Sequence, residues 1–283
     1  MAILSWMFAA CSNDMEDMDA RQTATLKLTS QMAVTRSLTV DLQSTQIASG
    51  VHVGVFATAG SISNHQLTAD GSGAFAGTEM TIPTGTTSVD VYAYAPYQNG
   101  WTADTANSFS VATDQSTDAG YVASDLLWGS KTGVSVTTST TADVAFAHKL
   151  SKVKVVVAKK NGASLTLTGA TVSIVGTKVS TTLKPQDGTL GEATGDAQDI
   201  LMGTLTSESA STLASVIVPQ TVAKDAQFLK IVLSAGNTFY VKLNSAVTFQ
   251  SGKSYVLGVQ LDGSATSITV SIVTGSEISG LLG

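Results

Sequence analysis

Cys11 is the residue with the clearest capacity for covalent chemistry. It follows a short apolar stretch, residues 2–10, that ends in two small alanines. This length fits the apolar part of a secretory signal and is too short to span a bilayer. A thiol directly after small residues is typical of a bacterial lipoprotein site, where it is acylated and becomes the mature amino terminus. Since two acyl chains anchor stably, we predict membrane anchoring through lipid on Cys11. A buried cysteine in an N-terminal strand is the alternative.

The segment after Cys11 is acidic. Residues 12–19 carry four carboxylates and no cation. They could form a solvated spacer. Directly after a lipoprotein site, they resemble the acidic export tag that sends lipoproteins of anaerobic gut and oral bacteria to the outer face of their outer membrane.

The residues that commonly carry catalysis form no recognisable constellation. His52, His65 and His148 have no metal-ligand spacing to one another or to an acidic residue. Ser124-Asp125 lacks the neighbouring base that a nucleophilic triad requires. We therefore predict that the chain is not an enzyme and uses no metal or cofactor.

Aromatic residues suggest a second kind of site. Tyr92, Tyr94, Tyr97, Trp101 and Trp128 lie close enough in the sequence to form a platform that stacks on sugar rings. Such residues more often fill the core of a β-sandwich or close its end. Both interpretations stay open, and the first gives an alternative function, a monomeric surface lipoprotein that binds glycans.

Composition excludes several classes of protein. The chain has 283 residues and a formal net charge of −6, and its arginines are Arg21 and Arg36. Nucleic-acid binding requires clustered cations, so we expect no nucleic-acid partner. The lysines at 152, 154, 159 and 160 are predicted to form a solvated strand face. One cysteine excludes a disulfide scaffold, and the length suggests two domains.

The hydrophobic pattern is that of strands. From residue 23 onward, apolar residues alternate with Thr, Ser and Lys and are interrupted by Gly, Asn and Asp. Only residues 210–214 suggest a helical turn. The fold class is therefore all-β, with antiparallel sandwiches. The proposed domains are a signal and acidic spacer (1–22), an N-terminal sandwich (23–150) and a C-terminal sandwich (151–283).

Several short segments, in this order, resemble the fimbrillin family, the lipoprotein pilins of type V pili. They are the Cys11 site with its acidic spacer, Ala33-Val34-Thr35-Arg36, Val55-Phe56, Tyr92-Ala93-Tyr94-Ala95-Pro96-Tyr97, Asp125-Leu126-Leu127-Trp128-Gly129, Phe146-Ala147-His148-Lys149-Leu150-Ser151-Lys152-Val153, Val218-Pro219-Gln220-Thr221 and Phe249-Gln250-Ser251-Gly252-Lys253-Ser254-Tyr255.

The resemblance implies two transthyretin-like Greek-key sandwiches in tandem and a structural pilin subunit. In this family a trypsin-like or gingipain-like protease cuts after an arginine beyond the first strand. Loss of that strand opens a groove, which the C-terminal strand of a neighbouring subunit fills.

The sequence has the alternation that such strand exchange requires, because pockets at alternate positions set the register of an inserted strand. The acceptor strand that is removed presents Leu26, Leu28, Met32 and Val34 on one face, and the donor strand presents Ile268, Val270 and Ile272. The alternative is that both segments are ordinary edge strands, which also alternate.

Energetics suggest a longer donor. Burying three aliphatic side chains stabilises by about 5–9 kcal/mol, whereas ordering six residues costs about 6–12 kcal/mol. Ladder hydrogen bonds add about 0.5–1.5 kcal/mol each. Six residues would hold weakly, so we expect Ile278, Leu281 and Leu282 to take part as well.

The two arginines differ in what a cut would release. Cleavage after Arg21 leaves the first strand attached, whereas cleavage between Arg36 and Ser37 removes it. Arg36 is flanked by small polar residues, as an exposed loop should be. We predict processing at Arg36, with Ser37 as the new amino terminus.

The predicted partners follow from this scheme. They are other copies of the chain and related pilins, the outer membrane through lipid on Cys11, and the processing protease. The predicted location is the outer membrane as a lipoprotein precursor and then an extracellular fimbrium, with a place in the shaft favoured. The surface receptor is not specified by the sequence.

Overall fold

The computed structural model describes residues 23–32, 46–160, 162–262 and 268–273. In chain order, the elements of the first half are β1 (Ala24–Met32), β2 (His52–Ala57), β3 (His65–Ala69), β4 (Phe75–Gly77), β5 (Met80–Ile82), β6 (Ser88–Ala95), β7 (Asn107–Ser110), α1 (Asp118–Ser124), β8 (Leu127–Ser135) and β9 (Ser139–His148). Those of the second half are β10 (Ser151–Lys159), β11 (Thr171–Lys184), β12 (Thr189–Leu190), β13 (Thr194–Thr204), β14 (Ala210–Ile217), β15 (Gln220–Val222), β16 (Gln227–Val232), β17 (Thr238–Lys242), β18 (Val247–Phe249), β19 (Ser254–Leu261) and β20 (Ile268–Val273). The all-β class predicted from the sequence is confirmed.

The first half forms one eight-stranded sheet. Its strand order is β4-β3-β2-β6-β8-β9-β1-β5, so the first strand of the chain lies inside the sheet rather than at its edge. Most neighbours are antiparallel, but β1 and β9 run parallel. This parallel pair joins segments far apart in sequence, so no short turn can specify it.

The second half forms two main sheets and a short pair. One sheet has the order β14-β10-β19-β20, with β10 and β19 parallel. The other has the order β12-β11-β16-β17, and β13 and β7 also pair with the long strand β11. Strands β15 and β18 pair with each other. Because β7 precedes residue 150, one strand of the first half belongs to a sheet of the second half. The predicted domain boundary near residue 150 therefore does not separate all the sheets, and it stays a prediction.

The two halves repeat one local arrangement. In the first, the last strand β9 lies between β8 and β1, and β5 follows on the far side of β1. In the second, the next-to-last strand β19 lies between β20 and β10, and β14 follows on the far side of β10. In both halves this strand, β9 or β19, runs parallel to the first strand of its half, β1 or β10. The C-terminal strand β20 thus takes the position that β8 holds in the first sheet.

Buried side chains form two hydrophobic clusters. One belongs to the first sheet and includes Leu26, Leu28 and Phe146. The other lies between the sheets of the second half and includes Phe228 and Phe249, whose rings stack with centroids 5.1 Å apart. The second cluster also takes in residues of the first half, so its burial ties the halves together.

The helix α1 is an element that the sequence pattern did not indicate. Thr117 caps it by accepting a hydrogen bond from the Gly120 N–H at 3.2 Å, and Asp118 lies in its first turn. The helical turn predicted at residues 210–214 is wrong. These residues belong to β14, because pairing with β10 gives their main chain a full ladder and tertiary pairing overrides the helix preference of alanine.

Candidate functional site

The first strand β1 is held on both sides. Along its length it pairs in parallel with β9, from Thr25 opposite Ser139 to Met32 opposite Phe146. On the other side its first three residues pair antiparallel with β5. A strand with partners on both edges cannot leave without exposing two rows of main-chain hydrogen-bonding groups.

The side chains of β1 alternate as the sequence predicted. Leu26 and Leu28 are only 2% and 4% exposed, whereas Lys27 between them is exposed. Ala24 and Ser30 also lie on the buried face, and sequence reasoning missed both because it sought large apolar residues. The buried face of β1 therefore carries two large side chains, Leu26 and Leu28, flanked by two small ones, Ala24 and Ser30.

The neighbouring strands supply a matching apolar surface. The buried residues that flank β1 are Thr140, Ala142, Val144 and Phe146 on β9 and Met80 and Ile82 on β5. These side chains are at most 3% exposed. If β1 were absent, its space would become an apolar groove between β5 and the edge of β9 that faces away from β8.

Polar contacts fix the ends of β1. The Thr25 hydroxyl donates to Glu79 Oε1 at 2.5 Å, and the Ser30 N–H donates to the Gly73 carbonyl at 2.8 Å. Gly73 has a φ of +103°, and a Cβ there would lie 2.9 Å from the Ser30 carbonyl oxygen. Only glycine lets this turn approach β1 so closely.

The candidate donor strand is paired within its own chain. β20 runs antiparallel to β19, from Ile268 opposite Leu261 to Val273 opposite Val256. It is the last strand of its sheet, so its ladder is on one side only. The backbone of Ile268, Val270 and Ile272 is thus placed in a strand, as predicted, while the facing of their side chains stays a prediction.

The remaining predicted site residues lie outside the described residues. They are Cys11, Val34, Arg36, Ser37, Ile278, Leu281 and Leu282, together with the side chain of Met32. Their roles stay predictions.

The aromatic residues do not gather into an exposed platform. Tyr94 and Trp101 are buried and stacked, with ring centroids 4.4 Å apart. Burial raises the pKa of Tyr94 to about 12, and its hydroxyl lies 2.7 Å from Asn64 Oδ1. Trp128 is half-buried and donates its indole N–H to the Pro185 carbonyl at 2.7 Å. The core interpretation therefore fits Tyr94 and Trp101, and the glycan-binding alternative gains no support from them.

The histidines contact single partners. His148 Nδ1 lies 2.7 Å from Asp125 Oδ1, and His52 Nδ1 lies 3.0 Å from the Thr68 hydroxyl. No group of three or more His, Cys, Asp or Glu that could hold a metal occurs within the described residues.

The solvated strand face predicted for the lysine run is wrong at Lys152, which is 8% exposed. Lys152 is on β10, and the neighbouring strand β14 lies close to α1.

Within the same part of the chain, no helix is long and apolar enough to cross a membrane.

These features define a class, an all-β protein in which a large sheet encloses its own first strand. A sequence model of the fimbrillin-like family matches residues 35–279, which is most of the chain. The chain therefore belongs to the fimbrillin-like family, as its short motifs predicted. Family membership makes it a structural protein rather than an enzyme. No protein of curated function matches the sequence significantly.

Solved structures share the fold. A candidate cell adhesion protein from Bacteroides uniformis is 21% identical with a TM-score of 0.66, over 90% of this chain and 100% of its own. A second, from Bacteroides ovatus, is 18% identical with a TM-score of 0.69, over 91% and 99%. The tip fimbrial protein Mfa3 from Porphyromonas gingivalis, truncated at its C-terminus, is 8% identical with a TM-score of 0.51, over 89% and 98%. At these identities the likeness concerns the fold.

Proposed function

We propose that this protein is a structural subunit of a cell-surface fimbrium and polymerises by strand exchange with other copies and related pilins. It is exported as a lipoprotein anchored through Cys11 to the outer membrane. A protease then cuts between Arg36 and Ser37 and releases β1. The C-terminal strand of a neighbouring subunit enters the vacated groove.

The observation that carries this proposal is that β1 pairs with a strand on each side, β9 and β5, and lies just before Arg36 in the sequence. Arg36 lies four residues beyond Met32, the end of β1. A cut there leaves β1 attached to the rest of the protein by non-covalent contacts alone. A cut after Arg21, which precedes β1, would leave the strand in place.

A donor strand would have more pairing partners in the groove of a neighbouring subunit than β20 has in its own sheet, and this difference favours strand exchange. Among the described residues of its own chain, β20 pairs with β19 alone, at the edge of a sheet. In the groove, a strand would find β9 on one side and β5 on the other. Each added ladder hydrogen bond contributes about 0.5–1.5 kcal/mol, and each fully buried aliphatic side chain about 1.5–3 kcal/mol. The groove therefore offers a stronger site than the edge.

The experiment is limited trypsin treatment of the purified precursor. We expect an SDS-resistant ladder of polymers whose subunits begin at Ser37. Arg36→Gln should abolish the ladder, whereas the matched control Arg21→Gln should leave it unchanged. A polymer that begins at Gln22, or a ladder formed equally by Arg36→Gln, would contradict the proposal.

A further inference from the structure

A small cavity, partly open to solvent, lies beside α1 at the end of β9. Its polar lining comes from Tyr121 and Asp125 at the end of the helix, from His148 at the end of β9, and from Lys152 and Lys253 of the second half. Its volume, measured as the space open to the centre of a water molecule, is about 10 Å³.

The His148 ring has one satisfied nitrogen and one unsatisfied nitrogen. Its Nδ1 lies 2.7 Å from Asp125 Oδ1. A carboxylate accepts, so Nδ1 carries the hydrogen and donates it. In the neutral ring Nε2 is then an acceptor, and it is buried without a hydrogen-bond partner among the described residues. Buried polar atoms are normally paired with protein or with ordered water.

The cavity meets the requirements for one water molecule. A buried water needs room for about one probe sphere, roughly 10–15 Å³, and two to four polar partners. Tyr121, another residue that lines the cavity, brings a hydroxyl that is the candidate for a second partner. Burial, and to a smaller extent the charge of Asp125, raises the pKa of that hydroxyl, so it keeps its proton. Water can donate to Nε2 and accept from a hydroxyl or ammonium group at the same time.

The cavity adjoins the two-residue link between β9 and β10. The Lys149 N–H donates to the Leu126 carbonyl at 2.8 Å, just beyond α1. From the other side, the Ser251 hydroxyl donates to the Lys149 carbonyl at 2.6 Å and the Gly252 N–H to the Leu150 carbonyl at 3.0 Å. The link is therefore bound by residues of both halves.

We propose that this cavity binds one ordered water molecule at His148 Nε2, and that Asp125, His148 and the water together form a polar bridge that fixes α1 to the link between β9 and β10. The bridge is a structural site, and it is inferred without reference to strand exchange. Asp125 sets the tautomer of His148, and the tautomer sets what Nε2 can bind.

The first test is the intact precursor at high resolution. A crystal structure should show one water within about 2.6–3.2 Å of Nε2, and the ¹⁵N spectrum should show the hydrogen on Nδ1. An anion in the cavity, no ordered occupant, or the hydrogen on Nε2 of the neutral ring would overturn the proposal. This test needs no variant.

The second test compares two histidines of unlike surroundings. His148→Phe keeps the ring shape and removes both polar contacts, so the Tm should fall by about 5 °C. His52→Phe is the matched control, because His52 is exposed on the first sheet, and its Tm should change much less. Equal shifts in the two variants would overturn the bridge.

Discussion

Leu28 of β1 lies opposite Ala142 of β9 in the parallel ladder, and these side chains are 4% and 0% exposed. A large side chain next to a small one lets two adjacent strands fill the interior without a void. The pair therefore marks the centre of the surface that β1 covers.

Leu28→Ala should destabilise the precursor and leave the polymer unaffected. Truncating a buried leucine costs about 2–5 kcal/mol, but the cleaved subunit no longer contains residue 28. Urea unfolding of the precursor and the SDS resistance of the polymer measure the two effects. Lys27→Ala, on the exposed face of the same strand, should change either by no more than about 0.5 kcal/mol. A polymer weakened by Leu28→Ala would mean that β1 is retained.

A disulfide between β19 and β20 should block polymerisation. Gln260 and Thr269 are opposite each other, and opposite residues of antiparallel strands lie within disulfide range. In a chain with Cys11→Ser, the pair Gln260→Cys and Thr269→Cys should fail to form a ladder when oxidised and recover it when reduced. The single variant Gln260→Cys is the control. Ladders from the oxidised protein would show that β20 is not the donor.

Stability should fall at acid pH in part through Glu208. Hydrogen bonds from Thr168, followed by the Leu167 N–H and Lys159, lower its pKa from 4.5 to about 2. A pKa lowered by folding contributes stability above the unfolded value and loses it as the pH drops from about 4.5 toward 2. Glu208→Gln should therefore flatten the dependence of Tm on pH in that window. Glu192→Gln, at an exposed position, should leave the profile unchanged.

Tyr94→Phe should lower stability through its buried hydroxyl. That hydroxyl lies 2.7 Å from Asn64 Oδ1 and accepts from the Gln98 N–H at 3.1 Å. Leaving such groups unpaired costs about 1–3 kcal/mol, measured by denaturant unfolding. Tyr97→Phe, at a half-buried position, should cost less. Unchanged stability in Tyr94→Phe would contradict a stabilising role for this hydroxyl.

The sequence was most informative where a local period governs the structure. The alternation around Leu26 and Leu28 predicted the buried face of β1, since side chains of a strand alternate whatever its partners are. The same rule predicted strands at both ends of the chain. The order of short motifs predicted the family.

Features set by distant contacts were not predictable. Nothing near β1 indicates that it runs parallel to β9, because the pairing joins residues more than a hundred positions apart. Residues 210–214 became strand through pairing with β10. Lys152 is buried although lysine usually reaches solvent, because a neighbouring element covers it. The sequence therefore predicted which face of β1 is buried, but not which strands lie on either side of β1.

The continuity of β9 with β10 has a mechanical consequence for a filament built as proposed. An inserted donor would lie along β9, which passes through Lys149 and Leu150 into β10. β10 lies beside β19, and β19 leads to the chain's own donor. Tension on the fibre would cross each subunit along this one route of neighbouring strands. The backbone of Lys149 and Leu150, together with the hydrogen bonds around it, would transmit this tension from one subunit to the next.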